Sequence, residues 1–264
     1  MSEKINISEA FYSVQCEGHT TGVPAYFIRL PGCNLLCGNP CGGLKGDVKT
    51  PGENATWICD TIDVWSKSNK WGYNDLVKDW INEEILEWVL DGRVHLVWTG
   101  GEPTTKGNQR QIVGFLEWLE TQTEELGFIP KHLKVYNELE TNGTLFIDHD
   151  LFFKIDQINC SVKLANSGMP KEKRINRDAL IRIKTHCNYW FKFVISNEDD
   201  MFEIEKDFIE PFNIDPKRVL LMPGLDKQKN FHERTRFCLE MAKRYGYVGL
   251  SRLHISAWDQ LTGV

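Results

Sequence analysis

The chain reads as an α/β protein: a parallel sheet with helices outside it, in an open or closed barrel-like arrangement. Three observations carry that expectation. Apolar, β-rich runs of strand length recur along the chain, amphipathic helical stretches alternate with them, and glycine-rich or polar turns follow several runs directly. The strand runs are 25–30, 94–98, 134–136 continuing into 140, 157–162, 190–195 and 219–222. Helical periodicity covers 75–90, with Val77, Trp80, Ile81, Ile85, Trp88 and Val89 expected on one face and Asn74 or Asp75 as N-cap. A second helix is expected over 109–126 through Ile112, Phe115, Leu116 and Leu119. A third spans 231–245, with Gly246 as C-cap.

Length and composition narrow the function. At 264 residues the chain buries a full core and suits one domain over 1–264 better than two. A net charge of −6 argues against a protein that binds nucleic acid by neutralising phosphates. Lys171, Lys173, Arg174 and Arg177 form one basic run, expected as a solvated loop. No stretch has the length of a membrane span, and the N-terminus shows no secretory apolar core. Eight cysteines in such a chain point to the reducing cytoplasm, where thiols serve metals or redox chemistry. Cys160, Cys187 and Cys238 lie in apolar surroundings and read as core.

Cys33, Cys37 and Cys59 crowd beside a carboxylate and a hydroxyl. Cys33 and Cys37 close the stretch Arg29-Leu-Pro-Gly-Cys33-Asn-Leu-Leu-Cys37, and Cys59-Asp60-Thr61 follows a Gly/Pro-rich excursion at about 38–56. Three thiolates can hold three irons of a 4Fe–4S cluster and leave the fourth iron open to a small molecule. A structural zinc knuckle and buried free thiols stay open on spacing alone. The run ending at Trp98 enters Thr99-Gly100-Gly101-Glu102-Pro103. Paired glycines let backbone approach a ligand, and Glu102 can accept from a ligand ammonium. Glu140-Thr141-Asn142-Gly143, Cys160-Ser161-Val162-Lys163 and Met222-Pro223-Gly224 end later runs in the same way. Each suits an ordinary turn. Together they suggest one ligand lying across the carboxyl ends of a sheet.

Cys33, Cys37 and Cys59-Asp60-Thr61 followed by Thr99-Gly-Gly-Glu-Pro103 resemble the radical S-adenosylmethionine (SAM) superfamily. Within it, Glu9-Ala-Phe-Tyr-Ser-Val-Gln15-Cys-Glu17-Gly18, Gly22-Val-Pro24-Ala-Tyr-Phe-Ile-Arg29, Glu140-Thr-Asn-Gly143, Ser161-Val-Lys163 and the late His254 look like the 7-carboxy-7-deazaguanine synthase family. The resemblance spans nearly the whole chain. It implies a partial, open β/α barrel. It also implies conversion of 6-carboxy-5,6,7,8-tetrahydropterin to 7-carboxy-7-deazaguanine with loss of ammonia, through a 5′-deoxyadenosyl radical.

The same resemblance assigns residues. Cys33, Cys37 and Cys59 would hold the cluster, and Thr61 a magnesium ion. SAM would lie against Gly101, Glu102, Ser161, Val162, Lys163, Met222, Pro223, Gly224 and Leu225. The pterin substrate would meet Val14, Gln15, Cys16, Glu17, Arg29, Thr99 and His254. An electron donor such as a flavodoxin and a homodimer are implied as partners, with no membrane and no direct nucleic acid. Lys192 matches the family with its role open. An ordinary surface arginine at 29 and a structural histidine at 254 are the plainer readings of those two residues.

Two departures stand out. The superfamily's usual spacing is three residues, then two, but twenty-one residues separate Cys37 from Cys59, and Thr56 stands where a compact motif has its second cysteine. Cys41, inside the excursion, is the alternative to Cys37. Cys16 replaces the family's usual glycine, so its side chain either presses on the substrate or points away. Two other functions share some of these features: a radical SAM activase acting on a partner protein, and a non-catalytic zinc module recruiting a partner through Trp57, Trp65 and Trp71.

Overall fold

The computed structural model describes residues 3–38, 51–52, 54–122, 134–224 and 230–259. Strands β1 (Lys4–Ile7), β2 (Glu9–Val14) and β3 (Pro24–Leu30) come first, then α1 (Ile62–Trp65), β4 (Asn69–Gly72), α2 (Tyr73–Asn82) and α3 (Leu86–Leu90). Strand–helix alternation follows: β5 (His95–Gly100), α4 (Lys106–Gln122), β6 (Asn137–Thr141), α5 (His149–Phe152), β7 (Gln157–Val162), α6 (Lys171–Arg174), α7 (Arg177–Lys184) and β8 (Tyr189–Ile195). Helix α8 (Glu198–Glu203) runs through a π-helical segment (Ile204–Ile209) into α9 (Glu210–Phe212). A 3-10 turn (Pro216–Arg218) then leads to β9 (Val219–Pro223), α10 (Phe231–Tyr245), β10 (Val248–Gly249) and α11 (Leu253–Trp258).

Among the described residues eight strands form one sheet in the order β10-β9-β8-β7-β6-β5-β3-β2. All neighbours are parallel except β2, which runs antiparallel to β3. The two edges do not pair with each other, so the sheet is open. β1 and β4 make a separate antiparallel pair.

Period-two alternation assigns the faces. Tyr26, Ile28, Leu30, Leu96, Trp98, Leu139, Ile158, Cys160, Phe191, Phe193, Val219 and Leu221 are buried in the main core. Trp80, Phe115, Leu119, Leu180, Ile183, Phe208, Cys238 and Met241 of the helices belong to that core as well. Trp80 and Phe115 meet edge to face at 6.0 Å, and Trp80 also sits edge-on to Tyr26 at 5.9 Å.

Some expectations need correction. The helix expected over 75–90 is two helices. Glu83 and Glu84 place negative charge at a helix C-terminus, where the dipole disfavours it. There Glu84 takes φ 58°, and the Ile85 N–H reaches back to the Trp80 carbonyl at 2.9 Å, a Schellman stop with glutamate at the left-handed position. The break changes the phase, so Ile81 and Trp88 are 51% and 41% exposed rather than on the buried face. The helix starts at Gly72, whose N–H donates to Asp75 at 2.8 Å; neither Asn74 nor Asp75 is the N-cap.

The strand expected from 134 begins at Asn137, although the Tyr136 carbonyl already accepts from the Leu96 N–H at 2.8 Å. The last residues of the helix expected over 109–126 lie outside the described residues. Cys187 is exposed, not core, whereas Cys160 and Cys238 are buried as expected. Within the basic run, Arg174 is buried: its guanidinium donates to the Met169 and Lys163 carbonyls and pairs with Glu203 at 2.5 Å. The helix over 231–245 ends as expected at Gly246, in the left-handed conformation at φ 73°.

Candidate active site

The sheet face opposite the helices is polar. Register puts Arg29 opposite Thr99, Val97 opposite Glu138, Glu140 opposite Asn159 and Ser161 opposite Lys192, all on this face. Thr99 Oγ1 donates to Glu140 at 2.8 Å, and Lys163 Nζ donates to Ser161 Oγ at 2.8 Å. The segment that follows β2 crosses this face. There Glu17 reaches Lys192 of β8 at 3.1 Å, and His19 stacks on Trp190 at 3.7 Å.

The loop after β3 brings the thiols together. Cys33, Cys37 and Cys59 share one small apolar group with Leu35, Trp57 and Met169, and the Cys59 N–H donates to the Cys37 carbonyl at 3.1 Å. Burial pushes the Cys33 thiol up to about 12 and the Cys37 thiol up to about 11. Three thiols in one apolar group are the donor set of an iron–sulfur cluster, whose iron would take the place of their protons. Among the described residues no three His, Cys, Asp or Glu side chains close around a point that one ion could occupy. Cys41 lies outside the described residues. Thr61 Oγ1 stands 3.5 Å from Cys59 Sγ and makes no side-chain cap to α1.

The glycine turn after β5 is built differently from expectation. What the paired glycines admit is the chain's own backbone. Gly100 sits at φ 108°, and a Cβ on Gly101 would lie 1.8 Å from the Gly32 carbonyl oxygen. Gly101 and Glu102 donate backbone N–H groups to the Leu30 and Gly32 carbonyls at 2.9 and 2.7 Å. This ties the turn to the residues entering Cys33.

The Glu102 side chain is fully buried. Its carboxylate accepts from the Thr104 N–H and hydroxyl (2.9 and 2.6 Å), the Thr141 hydroxyl (2.8 Å) and the Asn142 N–H (2.7 Å). It therefore has no place for a ligand ammonium and instead joins the β5 and β6 turns. Val162 likewise faces the helix-side core, so only its backbone borders the site. Met222 and Pro223 end β9 buried, and Gly224 follows, also buried; a Cβ on Gly224 would lie 2.5 Å from Ser196 Oγ. Leu225 lies outside the described residues.

The residues expected around the substrate form two groups. Arg29 pairs with Glu9 at 2.8 Å and covers the Phe11 ring at 5.0 Å, so it is a held arginine rather than a loose surface one. Val14 and Cys16 are close: the Cys16 thiol turns to the Val14 carbonyl at 3.2 Å and, buried, is pushed up to about 11. Gln15 is buried, donating toward Glu138 and Glu140 at 3.4 and 3.3 Å and accepting the Glu17 N–H at 3.1 Å.

Glu17 is the centre of an ion cluster: Arg252 Nε at 2.7 Å, Lys192 Nζ at 3.1 Å and His254 Nε2 at 3.9 Å. Burial, the largest single influence, raises its carboxyl, but Arg252, Lys192 and His254 together hold it well below the ordinary range. Burial also lowers His254. Arg252 reaches on to Asp60 at 2.7 Å, and the Leu253 N–H donates to the Cys16 carbonyl at 3.2 Å. Position 252 is thus the link from the 14–18 segment to the thiol-bearing loop. Sequence reading passed over Arg252, which carries no local motif, and treated Asn142 only as part of a turn. Its amide lies 4.0 Å from Cys33 Sγ and donates to Asn34 at 2.9 Å.

A parallel sheet bearing three convergent thiols beside a glycine turn at its carboxyl ends is the arrangement of a radical SAM enzyme. The chain is 30% identical over 261 residues to the 7-carboxy-7-deazaguanine synthase of Pyrobaculum aerophilum, covering 98% of this chain and 97% of the relative. It is 35% identical over 245 residues to that of Buchnera aphidicola (88% and 90%) and 27% identical over 275 residues to that of Halobacterium salinarum (96% and 90%). No family model matches. The crystal structure of QueE from Escherichia coli shares the fold at a TM-score of 0.56 and 20% identity, covering 93% of this chain and 92% of that one. The chain belongs to the 7-carboxy-7-deazaguanine synthase family. That membership sets aside the activase and the zinc module. Trp65, one of the tryptophans expected on a recruiting surface, is buried at 4% exposure, and Trp71 packs against the main core.

Proposed function

We infer that this chain is a radical SAM lyase that converts 6-carboxy-5,6,7,8-tetrahydropterin to 7-carboxy-7-deazaguanine in 7-deazapurine biosynthesis. The observation that carries it is the meeting of Cys33, Cys37 and Cys59 in one partly buried apolar group beside the face that holds Arg29, Thr99, Glu140 and Lys192. When bound, the cluster and SAM supply one-electron cleavage and a carbon radical. The chain's own residues bind, orient and exclude water.

Arg29, pre-set by Glu9, offers a planar fork for the substrate carboxylate. Thr99, Gln15 and the 16–17 backbone present hydrogen-bonding groups to the pterin edge, with His254 completing that pocket. Ser161, Lys163 and the end of β9 border SAM. Thr61, with a hydroxyl free of any capping bond, would supply the protein oxygen for a magnesium ion. The open sheet curls as a partial barrel within one domain. A flavodoxin-type donor, a homodimer and a cytoplasmic setting complete the proposal. No helix among the described residues is long and apolar enough to cross a membrane.

The test is anaerobic. Purified protein is expected to be brown, with iron and sulfide. Incubated with SAM, reductant, magnesium and carboxytetrahydropterin, it should yield the deazaguanine acid by mass spectrometry. Protein that cleaves SAM yet leaves the pterin unchanged would remove the substrate assignment.

A further inference from the structure

Although twenty-one residues separate Cys37 from Cys59 in sequence, their backbones meet through a 3.1 Å hydrogen bond. What closes the excursion lies outside the cysteines. Ala55 bridges Ser167 in antiparallel fashion. The Thr56 N–H donates to the Asn166 carbonyl at 2.9 Å, and the Gly38 N–H donates to the Ser167 carbonyl at 2.8 Å. Gly38 stands at φ 80°, and a Cβ there would lie 2.5 Å from Ile58 Cα, so the two sides of the root touch backbone to backbone. Asn166, 6% exposed, joins this root to the sheet: its side-chain oxygen accepts from the Trp57 indole N–H at 2.9 Å, and its amide donates to the Val194 carbonyl of β8 at 2.8 Å.

We propose that Asn166 is a positioning residue for the third cluster thiolate. Through Trp57 it clasps the returning end of the excursion onto the loop after β7, and so holds Cys59 within reach of a cluster carried by Cys33 and Cys37. The proposal rests on the three-cysteine reading above. Loop closure grows costlier as a loop lengthens, so a wide spacing between ligands needs an anchor that a compact motif does not. An anchor set before metal arrives lowers the ordering cost of binding it. The Trp57 ring packs in the same apolar group as Cys33 and Cys59, so a shift of the ring disturbs the packing around the thiols. Asn166 supplies the side-chain bond to Trp57 and a tie to β8, and the Thr56 hydroxyl, 2.7 Å from Ser196 Oγ, adds a further link from the excursion to the end of β8.

Trp57→Phe keeps a ring and deletes the donor; Asn166→Ala deletes the acceptor and the tie to β8. Both, with the double variant, are reconstituted anaerobically with iron and sulfide. Iron per chain, the rate of chelator bleaching and the melting temperature of the metal-free chain are then measured. Bleaching of Trp57→Phe is expected to be about fivefold faster than the starting protein, the worth of one ordinary hydrogen bond, with the metal-free melt lowered by only about 2–4 °C. The double variant should bleach no faster than Asn166→Ala alone. Wild-type iron content and bleaching in both single variants would overturn the clasp while leaving the functional reading intact. Failure of the unmutated chain to take up iron and sulfide would remove that reading, and the clasp with it.

Discussion

At the residue scale, buried carboxylates carry more of the site's organisation than their motifs suggest. Glu102 sits in a turn that reads as ligand-binding, yet four donors saturate it. Replacing it with alanine strands the buried Thr104 and Asn142 N–H groups, each costing about 1–3 kcal/mol. Glu102→Ala should therefore lose about 3 kcal/mol in denaturant unfolding, and a loss below 1 kcal/mol would count against this role. Glu17 behaves differently because it compensates several cations. Glu17→Gln takes from Lys192 its ion-pair partner and leaves Arg252 with Asp60 alone, in a largely buried setting, and is expected to cost about 3 kcal/mol near neutral pH.

The pH dependence of that cost has a definite sign. The Glu17 carboxyl is held below its ordinary value, so its stabilisation is complete above about pH 4.5, the unfolded range, and is lost as pH falls through the folded value. The gap between the parent and Glu17→Gln should shrink on acidification; a gap that stays constant or widens would contradict the ion-cluster account. Arg29 and His254 were legible in sequence as candidates. Arg252 was not, because it meets Glu17 and Asp60 from 235 and 192 residues away.

At the element scale, strands buried on the helix side were the most readable. β7 spans the residues its composition marks, and β8 and β9 each differ from expectation by a single residue at one end. Their β-branched and aromatic runs are long enough to exclude other structure. The β2 edge escaped notice because its six residues are all half-buried and show no clean alternation. Helix α2 failed for a local reason. Apolar spacing continued past Asn82 while backbone and charge favoured a stop. Glu84 at φ 58° carries a left-handed penalty that glycine lacks. Glu84→Gly is expected to raise stability by about 1 kcal/mol in chemical denaturation. A destabilised variant would show that the Glu84 side chain contributes more than the strain it carries.

At the scale of the whole molecule, the helix-side core holds the sheet, and the opposite face is left to polar chemistry. Trp80 ties α2 to α4 and β3 through Phe115 and Tyr26, and it is fully buried. Trp80→Ala should cost about 3–5 kcal/mol, read from the midpoint of chemical unfolding of the metal-free chain. A cost under 1 kcal/mol would mean that the helix layer repacks.

Sequence by itself determined the alternation of strands and helices and the turns that end the strands. Together with a whole-chain resemblance, it also indicated the family and the thiols. These properties depend on neighbours close in the chain, or on motifs that keep their order. Only the tertiary structure decided that Glu102 and Val162 face inward, that the paired glycines admit backbone, that Arg252 joins two distant loops, and that both sides of the wide spacing before Cys59 meet the loop at Asn166 and Ser167. Each of those depends on which atoms meet across tens to hundreds of residues, and no local pattern encodes such meetings.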